Sequence, residues 1–151
     1  MDQEGTRNNY TYISNSGSNN NITTDQSGNA STTTNYSRLV VNGNNNTASI
    51  VQDSTGGAKG SFVTIQNNSN SLSLTQSDSG SHYAEVGLSG GNKTVNITQR
   101  GSASHMTSVQ LGGNPTSLTL EQTGSAQNFY SLQFNCATVG GCAPISVKQG
   151  N

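Results

Sequence analysis

The chain predicts an all-β fold, a two-sheet parallel β-solenoid of stacked strand–arc–strand rungs, each about 23 residues long. Three observations carry this expectation. Gln76, Gln99 and Gln122 recur at a fixed interval, and each closes a short run of alternating apolar and polar residues: Leu72-Ser-Leu-Thr-Gln76, Val95-Asn-Ile-Thr-Gln99 and Leu118-Thr-Leu-Glu-Gln122. A second set of apolar positions, Val63/Val86/Val109/Leu132 and Ile65/Leu88/Leu111/Phe134, keeps the same interval. Segments rich in Gly, Asn and Ser separate these runs. Alternation of period two marks a half-buried strand, and a fixed repeat of 20 to 50 residues marks a solenoid or array.

Composition narrows the alternatives. Only 28% of the 151 residues are hydrophobic, 9% are charged, tryptophan is absent and the net charge is -1. A conventional globule needs roughly 45–50% apolar residues, and charge-driven disorder needs a high net charge. Polar, uncharged, Asn- and Gln-rich chains are instead prone to β-aggregation, and the periodic apolar residues give that tendency an ordered outlet. Arg7, Arg38, Lys59, Lys93, Arg100 and Lys148 are scattered, so no basic patch for nucleic acid is read. No apolar run approaches the roughly 18 residues of a membrane span, and no membrane insertion is expected. The start, Met1-Asp-Gln-Glu-Gly, is polar rather than leader-like and is read as belonging to a mature, trimmed chain.

Taken along the chain, residues 1–37 read as a partly ordered N-terminal segment with a degenerate repeat. Tyr10-Thr-Tyr-Ile-Ser14 is expected to be a frayed half-rung, and Asn21-Ile-Thr-Thr-Asp-Gln26 a first strand of the glutamine series. Residues 38–151 read as the regular solenoid. It opens with Arg38-Leu-Val-Val-Asn42 and with Thr47-Ala-Ser-Ile-Val-Gln52, a strand displaced by one residue from the later ones. Paired strands then follow at Val63/Ile65 with Leu72/Leu74, Val86/Leu88 with Val95/Ile97, Val109/Leu111 with Leu118/Leu120, and Leu132/Phe134 with Ile145/Val147/Gln149. That amounts to about five rungs and a closing strand. Ala84, Thr107 and Tyr130 form a further, mixed column. Glycine and asparagine in the connections supply the positive φ that tight β-arcs need. The glutamine column is placed to form a ladder of side-chain hydrogen bonds, since apolar burial in so thin a core is small.

The last connection is longer, and it carries a Cys-flanked loop at 135–144. The spacing of Cys136 and Cys142 around Gly140-Gly141 suits a small disulfide-closed loop in an oxidising, extracellular setting. Two free thiols are the alternative. Two cysteines are too few for a structural zinc site, and no cofactor or metal is expected.

With these strands placed, the chain resembles the curli family, the curlin subunits of bacterial biofilm fibres, whose repeat is Ser-x5-Gln-x4-Asn-x5-Gln. Thr116, Gln122, Gln127 and Gln133 keep that spacing with Thr for Ser and Gln for Asn. Lys93, Gln99, Ser104 and Gln110 keep it with two changes, and Asn70, Gln76, Ser81 and Gly87 with three. In curlins the second glutamine shares the inward face with the aliphatics of its strand. Here Val109/Leu111 and Leu132/Phe134 alternate out of phase with Gln110 and Gln133. Either the arc is one residue longer or those two glutamines point outward. The resemblance implies a secreted, extracellular cell-surface subunit that self-assembles into an amyloid fibre for biofilm matrix and adhesion. It also implies partners: further copies of itself, a nucleator subunit, a secretion pore and a chaperone.

The remaining polar residues give no catalytic constellation. Asp53, Asp78, Glu85 and Glu121 form no recurring carboxylate pair, so the chain is read as a non-enzyme. His82 and His105 share a column on adjacent rungs and are read as surface polar residues, with a pH-sensitive stack as the alternative. Arg38, Lys59, Arg100, Asp53 and Asp78 look like gatekeepers at strand ends or arcs, with solvated charge as the default reading. A monomeric β-solenoid adhesin or fibre segment is the competing function. An ice-binding solenoid is less consistent, because the columns Ser73/Asn96/Thr119 and Thr75/Thr98/Glu121 lack a regular Thr array.

Overall fold

The computed structural model describes residues 1–3, 9–28 and 34–150. Every regular element in it is a strand: β1 Asp2–Gln3, β2 Tyr10–Ser16, β3 Asn21–Gly28, β4 Tyr36–Asn42, β5 Thr47–Ser54, β6 Lys59–Gln66, β7 Ser71–Gln76, β8 His82–Leu88, β9 Lys93–Gln99, β10 His105–Gly113, β11 Thr116–Gln122, β12 Asn128–Cys136 and β13 Ile145–Gln149. The odd-numbered strands form one seven-stranded sheet in chain order, and the even-numbered strands form a six-stranded sheet opposite it. Neighbours within each sheet run parallel, for example Leu72↔Val95 and Val86↔Val109. The chain is therefore a two-sheet parallel β-solenoid of about six turns. Each turn is an even strand, an arc and an odd strand.

Alternation places the apolar positions inward from both sheets. Leu39, Val41, Val63, Ile65, Val86, Leu88, Val109 and Leu111 from the even strands meet Ala48, Ile50, Leu72, Leu74, Val95, Ile97, Leu118 and Leu120 from the odd ones, all essentially inaccessible. Ile13, Ile22, Leu132, Phe134, Ile145 and Val147 pack on this core at the two ends and stay partly exposed. The column Ala84, Thr107 and Tyr130 also faces inward, and it is closed above by Ser61 and Ser37.

The N-terminal part is more regular than its sequence suggests. Strand β2 pairs with β4 along its whole length, Tyr10↔Tyr36 to Ser16↔Asn42, so it is a full strand rather than a frayed half-rung. The division at 37/38 falls inside β4, and β2 and β3 join the same sheets as the later strands. Parts of the expected N-terminal segment, 4–8 and 29–33, lie outside the described residues. The displacement expected at Gln52 is also absent, because Gln52 pairs in register with both Gln26 and Gln76.

The physical reason is that one stretch of each turn has a fixed length. From the accepting carbonyl at the start of an even strand to the ladder glutamine of the next odd strand is 16 residues in five successive turns. Only the last turn departs, at 20, where the Cys-flanked loop is inserted. All the other variation in repeat length is absorbed by the links from odd strand to even strand. The arcs inside the fixed stretch are made by residues that accept positive φ, such as Gly17/Asn19, Gly43/Asn45 and Asn67/Ser69. At Gly43 a Cβ would collide with the Asn67 carbonyl of the next rung, so glycine is needed for close stacking as well as for φ.

Candidate functional site

A glutamine ladder forms the polar spine of the interior. Nε2 of Gln26 donates to Oε1 of Gln52 at 2.7 Å, and the pattern continues Gln52→Gln76 at 2.9 Å, Gln76→Gln99 at 2.8 Å, Gln99→Gln122 at 2.9 Å and Gln122→Gln149 at 2.8 Å. Each Nε2 also donates across the core to a carbonyl at the start of the facing even strand: those of Tyr10, Tyr36, Gly60, Tyr83, Met106 and Phe129. One amide thus ties rung to rung and sheet to sheet. The glutamines from Gln26 to Gln122 are fully buried, and such groups are tolerated only when their donors and acceptors are met. Gln149 differs. Among the described residues its Nε2 donates to the Phe129 carbonyl alone.

Two more polar columns close the ends of each turn. Before the odd strands stand Asn20, Asn46, Asn70, Lys93 and Thr116. The asparagine carboxamide oxygens accept the backbone N–H one rung on, Asn20 from Asn46 at 2.9 Å, Asn46 from Asn70 at 2.9 Å and Asn70 from Lys93 at 3.0 Å. Lys93 extends the pattern by donating Nζ to the Gly113 carbonyl at 2.6 Å and the Asn114 carbonyl at 3.1 Å. Desolvation holds its pKa below the usual lysine value.

Before the even strands stand Asn9, Asn35, Lys59, His82, His105 and Asn128, which share one chemical task. Each turns a donor onto a carbonyl of an adjacent odd strand or of the link that follows one. Asn9 reaches Gln26, Asn35 reaches Ser27, Lys59 reaches Asp78 and Gly80, His82 reaches Ser77, His105 reaches Arg100 and Asn128 reaches Thr123. The histidines are therefore buried caps rather than surface residues, with rings stacked 5.0 Å apart and 3° from parallel. Lys59 is likewise buried, and Arg38 sits in mid-strand between the rings of Tyr12 and Phe62 at 5.5 and 4.7 Å. Neither is a gatekeeper at a solvated strand end. In both, a long stem is buried or half-buried while the charged head finds carbonyls or rings.

Burial first, then the Lys59 charge and the neighbouring His105, lower the pKa of His82 to about 4. The backbone N–H of His105 points at His82 Nδ1 at 3.4 Å, which suits a neutral ring with its proton on Nε2. Unfolded, the same ring titrates near 6.5. Between these values the unfolded chain holds the extra proton, so stability is complete above about pH 6.5 and falls as the pH drops towards 4, by at most about 1.4 kcal/mol per pH unit. Denaturant midpoints should accordingly be lower at about pH 4.5 than at about pH 7.5. His82→Asn, which keeps the donor found at Asn35 and Asn128, should shrink the difference. Equal slopes for the wild type and His82→Asn would contradict this role for the ring.

On the outer face of the even sheet lies an exposed column, Tyr10, Tyr36, Gly60, Tyr83, Met106 and Phe129, in register on successive rungs. Tyr10 and Tyr36 stack at 5.3 Å. Alongside Gly60 the column dips into a groove of about 830 Å³ bordered by Tyr36, Tyr83, Met106 and Phe129. A parallel column holds Tyr12, Arg38, Phe62, Glu85, Ser108 and Ser131. Gln110 and Gln133 belong to the third outward column and are exposed, so the second glutamine of the curlin spacing makes no interior ladder here. The odd sheet faces outward mainly with Ser, Thr and Asn, together with Asp25, Val51 and the Arg100–Glu121–Lys148 ion-pair cluster at 2.6 and 3.3 Å. Cys136 and Cys142 are disulfide-bonded, and the loop they close is anchored by the Cys142 N–H on the Pro115 carbonyl at 2.8 Å.

No family model, curated protein or solved structure matches this chain. Leu72, Leu74, Gln76, Val95, Ile97, Gln99, Leu118, Leu120 and Gln122, with Val63, Ile65, Val86, Leu88, Val109 and Leu111, come together in one buried interior. Leu132, Phe134, Ile145, Val147 and Gln149 lie at its open end. Sequence reasoning missed the Asn/Lys and Asn/Lys/His columns and the aromatic stripe. The stripe was within reach, because Tyr83, Met106 and Phe129 share the interval of the glutamines.

Proposed function

We propose that this chain is a structural subunit that stacks end to end, through its open sheet edges, into an extracellular cross-β fibre. The observation that carries this reading is the unfinished last rung. Val109, Leu111, Leu118 and Leu120 are fully buried, whereas their column neighbours Leu132, Phe134, Ile145 and Val147 are half-exposed, and Gln149 has a ladder donor to spare. At the other end β2 offers Ile13 in the column of Leu132 and Tyr10 in the column of Phe129. A second copy placed there would extend both sheets, and an unpaired strand edge is a template for such addition.

The bonded cysteines support an oxidising, extracellular location. The resemblance to curlins supports a role in biofilm matrix and adhesion, with a nucleator, a secretion pore and a chaperone as partners. In this reading the chain is no enzyme. The second reading, a monomeric adhesin, draws on the exposed Tyr10-to-Phe129 stripe.

Protein freed of denaturant should form filaments with a meridional reflection near 4.7–4.8 Å. A stable monomer that never elongates would sink the fibre reading and leave the adhesin.

A further inference from the structure

The outer face of the even sheet carries a pattern that fits a second copy of itself turned end for end. From β2 to β10 the first column reads Tyr10, Tyr36, Gly60, Tyr83, Met106, and the second Tyr12, Arg38, Phe62, Glu85, Ser108. A two-fold axis laid along β6 sets β4 against β8 of the second copy and β2 against its β10. Arg38 then faces Glu85 of the second copy twice over, Tyr36 faces Tyr83, Tyr10 faces Met106, and Phe62 meets its own equivalent. Turning the second copy the other way, with the solenoids parallel, puts Arg38 against Arg38 and Glu85 against Glu85.

We infer that two solenoids pair laterally and antiparallel through this face, with Arg38 and Glu85 selecting the register. Among the described residues neither has an ion-pair partner within its own chain. The guanidinium is already positioned between the Tyr12 and Phe62 rings, so little freedom is lost when it meets a carboxylate. The Gly60 dip lies under the axis, in the middle of the contact. The Tyr83 ring leans over that glycine, with its Cδ2 2.9 Å from where a Cβ would stand. Such an isologous contact is self-complementary by construction.

Its size sets its strength. Two columns over five rungs cover about 24 Å by about 14 Å, or roughly 330 Å² per copy. A stable pair buries about 800 Å² per partner. Single subunits should thus pair weakly, while subunits joined in a fibre add one such contact each and bundle firmly. The pairing does not depend on end-to-end stacking; only its multiplication does.

A charge swap tests it. Fibre width is read by electron microscopy. Self-association is read by sedimentation equilibrium on whichever form stays short: the wild type if it does not elongate, or Val147→Lys if the wild type does. Arg38→Glu and Glu85→Arg should each weaken lateral association about tenfold, and the double variant should restore it to within about twofold. Should a reversal prevent folding, Arg38→Gln and Glu85→Gln carry the same test with smaller losses and no rescue. Single variants that bundle like the wild type, a double variant as weak as the singles, or a short form that stays monomeric at millimolar concentration would each overturn the inference.

Discussion

Replacing Gln99 by leucine should destabilise the solenoid by about 2–5 kcal/mol, whereas the same replacement at Gln110 should cost less than about 0.5 kcal/mol. The two residues have the same chemistry and lie on consecutive strands, β9 and β10. Gln99 accepts from Gln76 at 2.8 Å and donates to Gln122 at 2.9 Å and to the Tyr83 carbonyl at 3.0 Å, with no exposed surface. Leucine there leaves a Gln76 N–H without its acceptor and the Tyr83 carbonyl without its cross-sheet donor. Each orphaned buried group costs about 1–3 kcal/mol. The Gln122 acceptor is spared, because Thr107 Oγ1 also donates to it at 2.7 Å. Gln110 projects outward over the Gly87 backbone and closes no such network. Urea midpoints of the two variants decide the matter, and equal losses would mean that the interior ladder does not carry stability.

That contrast also shows which parts of the fold the sequence displays. The glutamines of the odd strands were legible because they fall in phase with Leu72/Leu74, Val95/Ile97 and Leu118/Leu120, so interval and alternation agree. Gln110 and Gln133 keep the interval but oppose the phase of their own aliphatics. Phase prevails, since burying Val109 and Leu111 gains about 1.5–3 kcal/mol each while a buried amide gains little beyond its partners. Gln26 and Gln52 looked irregular for another reason. The sequence interval adds a fixed 16-residue stretch to a link of variable length, and only the former is under tight geometric control. Least legible was the column Asn9, Asn35, Lys59, His82, His105, Asn128. Its members differ in size and charge and have in common only a donor that reaches a carbonyl. No residue-type periodicity announces a column defined by function.

Val147→Lys should abolish fibre growth while leaving the single subunit folded. A lysine at Ile97 would be enclosed between Leu74 and Leu120 and should unfold the chain, because an unpartnered buried charge costs several kcal/mol. Val147 has Leu120 on one side and, among the described residues of the single subunit, no rung on the other. There a lysine stem can lie along the core edge with its ammonium in water, and the midpoint should shift by about 1 kcal/mol or less. Only stacking encloses it. A second copy docking its β2 edge on β12 and its β1–β3 edge on β13 would enclose the ammonium between Leu120 and the added rung. The variant's other edge, formed by β2 with Ile13 and by β1 lying on β3, remains intact and can still settle on the growing end of a wild-type fibre. Having settled, it presents the lysine and admits nothing further. Small fractions of Val147→Lys should therefore stop wild-type elongation well below equimolar ratio, as followed by light scattering and by filament length. Growth at the wild-type rate in such mixtures, or long filaments of the variant alone, would show that β13 is not the face to which subunits add.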